Sequence, residues 1–112
     1  MAMAKEYSVK QALLAKFAKA LGHPARVSIM EFLAKLHDCY FGEINEELPM
    51  TKATVSQHLS ILKEAGLIQG EIEPPKVRYC INMENWILAG LLFKEFFEQP
   101  IEKKGGCCCD KT

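Results

Sequence analysis

A mainly α-helical domain with one small β-hairpin is predicted from three observations. Apolar residues recur at helical spacing in about five segments, each punctuated by glycine, proline or a hydroxyl residue. Residues 67 to 82 alternate with strand period about Pro74-Pro75. The chain has 112 residues, 49% of them hydrophobic, which suits one small domain with a thin core.

The elements follow in order. Val9, Ala12, Leu13, Phe17, Ala20 and Leu21 mark a first helix over residues 8–21. Gly22 ends it, and Pro24 opens the next as its first residue. Ile29, Phe32, Leu33 and Leu36 extend that second helix over residues 24–37, and His23 is read as its cap. His37 is read as a surface residue. Phe41, Ile44 and Leu48 predict a short third helix closed by Pro49. Thr51 suits an N-cap, and Val55, Leu59 and Leu62 give a fourth helix its core stripe, closed by Gly66. The hairpin then pairs residues 67–73 with residues 77–82. Residues 84–98 form a last helix whose Trp86, Ile87, Leu88, Leu91, Leu92, Phe93, Phe96 and Phe97 cover most of its circumference. One face can meet the domain's own core; the rest needs a partner. The first helix is also broadly apolar, so a homodimer seam through the two terminal helices is expected. Residues 1–98 are read as one domain that carries this dimerisation seam, and residues 99–112 as a flexible, cysteine-rich tail.

Composition narrows the function. Formal net charge is zero, but Lys5, Lys10, Lys16, Lys19 and Arg26 face only Glu6 within residues 5–26. A modest local basic face can still meet phosphates. Ile87 to Phe93 is too short to cross a bilayer, so no membrane partner is expected. No charged-then-apolar leader opens the sequence, and a cytoplasmic protein with reduced thiols is expected. No nucleophile stands with a partnered base, and no Cys-x-x-Cys lies in a βαβ setting. An enzyme is therefore not expected, and neither is a catalytic cofactor.

Short helix, turn, polar-faced helix and hairpin follow in the order of a winged helix-turn-helix. The fourth helix carries Thr51, Lys52, Thr54, Ser56 and Gln57 off its core stripe, all small or hydrogen-bonding enough to enter a major groove. Gln57 can pair bidentately with adenine, and the Thr and Ser hydroxyls can serve phosphates or base edges. Lys76 and Arg78 on the hairpin would follow the phosphate backbone.

Residues 53–68, Ala-Thr-Val-Ser-Gln-His-Leu-Ser-Ile-Leu-Lys-Glu-Ala-Gly-Leu-Ile, closely resemble the recognition helix and following strand of the ArsR/SmtB family of bacterial repressors. Residues 20–29, Ala-Leu-Gly-His-Pro-Ala-Arg-Val-Ser-Ile, resemble that family's entry to the second helix. The resemblance covers residues from about 8 to 98. It implies a homodimeric winged-helix repressor that leaves double-stranded operator DNA on binding a metal or metalloid. His58 lies in the family's Ser-Gln-His-Leu element, where it either touches DNA or is structural.

The inducer is approached through the five cysteines. Cys107-Cys108-Cys109 end the chain behind Gly105-Gly106, and thiolates are soft ligands that select thiophilic metals and metalloids. The family's zinc-type members use Asp and His ligands on the last helix; residues 84–98 contain no His. Its arsenite-type members carry Cys-x-Cys at the third helix; here Cys39 stands with Phe41 in the second place. Other arsenic sensors of the family combine an adjacent cysteine pair with a distant third. Cys39, Cys107, Cys108 and Cys109 are therefore the candidate ligands for trivalent arsenic, as arsenite or an organoarsenical. The tether from Glu98 to Cys107 spans at most ~30 Å. Cys80 is read as a small hydrophobe near the base of the hairpin. The alternatives are another soft ion such as Cd(II), Pb(II) or Sb(III), thiol oxidation, or a dimeric interaction module with a metal-buffering tail.

Overall fold

The computed structural model describes residues 6–36, 39–42, 44–73 and 76–102, with backbone alone at 46, 71–73, 76 and 77. Four α-helices and a small antiparallel sheet make up this part of the chain. His37 and Cys107, Cys108 and Cys109 lie outside the described residues, as does the side chain of Lys76.

Helix α1 runs Val9–Ala20. Ser8 caps it by accepting from the Gln11 amide, while the Gln11 side chain accepts from the Ser8 amide, so two orphan donors are satisfied reciprocally. Helix α2, Pro24–Leu36, starts on the expected proline. The Ala25 amide donates to Nδ1 of His23 at 3.0 Å, which makes His23 the expected cap. Helix α3, Lys52–Ala65, begins where the Thr54 amide donates to Thr51 Oγ1 and ends at left-handed Gly66. Phe17, Ile29, Leu33, Leu59 and Leu62 form the buried centre where these three helices meet.

The expected third helix is absent. Tyr40–Phe41 instead form strand β1, and only a single 3-10 turn, Ile44–Glu46, follows. Gly42 has φ 118°, outside helical space, and Pro49 lies just beyond the turn. Ile44 is buried as expected, but Phe41 points to solvent from the sheet's edge. Thus the segment buries Ile44 as its anchor, gives Tyr40 and Phe41 to a sheet, and otherwise runs as turns.

That sheet is larger than the hairpin expected. Strands β2, Ile68–Glu73, and β3, Lys76–Ile81, pair as the hairpin, and β1 adds to the other edge of β3, giving the order β1-β3-β2. Gly70 is required where the strands meet: φ is 140°, and a Cβ would fall onto the Arg78 carbonyl.

Helix α4, Met83–Phe97, is capped by Asn82, whose side chain accepts from the Asn85 amide. Asn85 Nδ2 donates to the Gly66 carbonyl at 2.8 Å and fastens α4 to the end of α3. Only Ala89 and Leu92 of α4 are buried. Ile87 is 56% exposed, Leu91 60%, Phe96 48% and Phe97 75%, so the unpartnered apolar face expected from the sequence is present on this single chain. Lys10 on α1 meets Glu95 on α4 at 2.8 Å, an exposed pair contributing about 0–1 kcal/mol. No helix among the described residues is long and apolar enough to cross a membrane.

Candidate nucleic-acid interface and thiol pair

Helix α3 buries Val55, Leu59 and Leu62 and turns Thr51, Lys52, Thr54, Ser56 and Gln57 outward. The outward residues are those the sequence places on a reading face. Thr51 and Thr54 are partly committed to the helix start, because Thr51 Oγ1 also donates to Thr54 Oγ1 at 2.8 Å. Ser56 and Gln57 therefore offer the clearer hydrogen-bonding edge. Arg78 is exposed on β3. It stands opposite Glu71 on one side and Phe41 on the other in the strand register.

His58 belongs elsewhere. It is 7% exposed and faces inward, so it does not join the outward set. The Arg26 guanidinium donates through Nη1 to His58 Nδ1 at 3.1 Å. Its Nε donates to the Ala20 carbonyl at 2.6 Å, and Nη2 lies 3.4 Å from the Lys19 carbonyl. One side chain thus ties the C-terminal end of α1, the start of α2 and the middle of α3. It also supplies positive charge to terminal carbonyls that favour it. The His23 ring centre stands 4.6 Å from that of His58. Sequence reasoning missed this brace, although Arg26 and His58 both lie in the two segments singled out there.

Burial holds the His58 pKa below its ordinary value, and the neighbouring His23 and Arg26 push it the same way. The folded protein therefore keeps this imidazole neutral, with Nδ1 free to accept from Arg26. The unfolded chain takes up the proton near the ordinary value of about 6.5. The stability this residue contributes is present above that pH and is lost as pH falls through the lower, folded value. We expect the urea midpoint to drop between pH 7.5 and pH 5.5, and His58→Gln to flatten that slope. An unchanged slope in the variant would assign the pH dependence to other groups.

The cysteines give the larger correction. Cys39 and Cys80 are joined by a disulfide, with Cα atoms 4.3 Å apart. Cys80, expected as an inert and reduced residue, is instead bonded to Cys39 in this structure. The register supplies the reason: β1 and β3 pair Tyr40 with Tyr79, and one step back along the same antiparallel ladder Cys39 faces Cys80. Nor does Cys39 stand at a third helix, since the segment that follows it is strand and turn. The pair borders an open cavity of ≈ 520 Å³, shared with Leu33, Ala34, Gln69, Ile81, Met83 and Trp86. Among the described residues no three His, Cys, Asp or Glu side chains come together to hold a metal ion.

Known proteins share this fold. The profile of the bacterial regulatory protein, arsR family, matches residues 23–69, from the cap of α2 into β2. The transcriptional repressor SdpR of Bacillus subtilis (strain 168) is 33% identical over 76 residues, covering 62% of this chain and 83% of SdpR. The regulator CmtR of Mycobacterium tuberculosis (strain H37Rv) is 36% identical over 75 residues, or 65% of this chain; the match spans 61% of CmtR's own length. An NMR structure of M. tuberculosis CmtR, described as a cadmium metal-sensor, superposes with a TM-score of 0.53 at 29% identity, covering 88% of this chain and 99% of that one. HlyU from Vibrio cholerae N16961 shares the fold, with a TM-score of 0.62 at 24% identity over 82% of this chain and all of HlyU. With one repressor matched over most of its length and the profile lying on the helices that present the polar face, the chain belongs to the arsR family of bacterial regulatory proteins.

Proposed function

We propose that this protein is a metal(loid)-responsive transcriptional repressor. It binds double-stranded operator DNA as a homodimer and leaves it when trivalent arsenic binds cysteine thiolates. The observation that carries the reading is the outward face of α3, where Thr54, Ser56 and Gln57 offer hydrogen-bonding side chains on a helix that Arg26 and the core hold in place. Gln57 and Ser56 read base edges, while Lys52, Thr51 and Thr54 meet phosphates and Arg78 and Lys76 follow the backbone from the wing. Once the Cys39–Cys80 disulfide is reduced, Cys39 supplies one thiolate, and Cys107, Cys108 and Cys109 supply the rest for inorganic arsenite.

The route from ion to DNA runs through the sheet. Cys39 immediately precedes β1, and β1 is hydrogen-bonded to β3, the strand that carries Arg78. Displacing Cys39 moves β1 and the wing against α3. A coupling of about 1–3 kcal/mol, or roughly 5–150-fold in operator affinity, is usual for such switches. Cadmium is the second reading, favoured by the likeness to CmtR, whose structure is described as that of a cadmium sensor.

Two substitutions test the DNA face. Gln57→Ala should cost about 1–3 kcal/mol of operator binding and relax sequence preference, because a base contact is lost. Arg78→Ala should instead weaken binding to all sequences and flatten the salt dependence. Fluorescence anisotropy at several salt concentrations separates the two. If neither changes binding while the fold stays intact, α3 is not the reader.

A further inference from the structure

We infer that Cys39 and Cys80, once reduced, form a two-thiolate site for a monosubstituted trivalent arsenical, R–As(OH)2, whose organic group occupies the adjoining cavity. The inference rests on the soft-metalloid reading above and assigns it a second ligand and a chemical class.

The cross-strand register holds the two sulfurs together without help from any third element. Both cysteines line the same ≈ 520 Å³ cavity. Among the described residues no third His, Cys, Asp or Glu completes a ligand set there. Zinc-like ions in closed sites take four ligands, so two thiolates serve them poorly. Trivalent arsenic makes three bonds. Two thiolates satisfy it when the third bond is already taken by carbon, as in R–As(OH)2. Inorganic arsenite would keep a polar hydroxyl pointing at the cavity wall.

That wall suits carbon. Leu33, Ala34, Ile81, Met83 and Trp86 surround the space, and Gln69 brings the one uncharged polar side chain. Its volume lies within the usual range for small-molecule sites, about 300–1,000 Å³, so it admits a methyl or a phenyl group. Trp86 offers an aromatic face, and Met83 a polarizable sulfur that adapts to a flat ring.

The chemistry balances. A small-molecule thiol reductant gives two electrons and two protons to the disulfide and is itself oxidised to a disulfide, leaving Cys39 and Cys80 as thiols. Two S–As bonds then form and two As–OH bonds break. The thiol protons leave with the hydroxides as two waters, and arsenic stays trivalent. While the S–S bond is intact neither sulfur can bind, so the oxidised pair is closed to the ligand. Insertion of arsenic widens the link between β1 and β3 and displaces the strand that carries Arg78.

Trp86 is the chain's only tryptophan, which gives a local signal. The test uses full-length protein under reductant, with Cys107, Cys108 and Cys109 all changed to Ser. It is titrated with phenylarsine oxide while tryptophan emission and intact mass are followed. One phenylarsenic adduct per chain with a change in emission is expected. Cys80→Ser in that background should lose both, while operator binding unchanged from its parent shows that the fold survives. Ala34→Leu, which narrows the cavity and spares both sulfurs, should weaken the phenyl compound more than methylarsenite. Retained binding in Cys80→Ser, or no adduct in the tail-serine protein, overturns the site. Equal binding of arsenite and the phenyl compound, with Ala34→Leu indifferent to both, overturns the role of the cavity. Operator release separates the two claims. An adduct without release contradicts the repressor reading alone. Arsenite-driven release that needs the tail but not Cys80, with no phenyl adduct, contradicts this site alone.

Discussion

Leu91→Glu combined with Phe97→Glu should leave the protein a 12.6 kDa monomer in sedimentation at micromolar concentration. Both residues lie on the apolar face of α4, 60% and 75% exposed on the single chain. Beside them α1 and α4 form a groove of ≈ 730 Å³ lined by Leu14, Ala18, Leu92, Phe93, Phe96 and Phe97. A second copy covers such a face most simply, because each buried large side chain contributes about 1.5–3 kcal/mol. A carboxylate in the middle of the seam removes that gain and adds an unpaired buried charge. The helix-turn-helix is untouched, since neither residue enters the core around Leu59. Operator affinity should fall by on the order of 10²-fold or more, because a monomer engages one half-site and loses the avidity of two. A monomeric parent protein would remove the seam and, with it, binding to two half-sites.

Cys39→Ser should abolish induction while leaving repression intact. The substitution conserves size at a position outside α3, so the reading face keeps its geometry. What is lost is the thiolate next to β1, and with it the displacement of the wing. The roughly 5–150-fold drop in operator affinity on adding arsenical should disappear for arsenite and for phenylarsine oxide alike. Deleting residues 105–112 should behave differently. It removes the tail thiolates required for arsenite but leaves the pair facing the cavity, so the phenyl compound still releases the operator and arsenite does not. Titrations of the two variants side by side read this out directly. A normal arsenite response after the deletion would make the tail a bystander. A normal response to both compounds in Cys39→Ser would show that the pull on β1 is not the route.

The parts of the fold legible in the sequence are those set by local rules. The stripe Val55, Leu59 and Leu62 needs only helical period, and its ends carry their own signals at Thr51 and Gly66. The hairpin shows in the alternation of residues 68–73 and 77–81. The outward residues of α3 follow from the stripe by elimination. Failures came where distant residues decide. Phe41, Ile44 and Leu48 fit a helical spacing, but pairing with β3 claims Tyr40 and Phe41, and Gly42 breaks the run. Losing that strand also hid the Cys39–Cys80 pair, whose register exists only once β1 is in place. His58 lies one position beside Gln57 and carries a polar ring, and nothing local says that Arg26 will hold it inward. The apolar face of α4 was legible for the opposite reason. Too many large side chains for one core are visible in the sequence without knowing where the core lies.

The most direct test of the central claim is operator-DNA anisotropy with fully reduced protein, titrated in turn with As(III), Cd(II) and Zn(II). Saturable release by As(III), little or none by Zn(II), and loss of release in a variant lacking all five cysteines is the predicted result. Release by Zn(II) that survives loss of all the cysteines, or operator binding indifferent to every thiophilic ion, would contradict it.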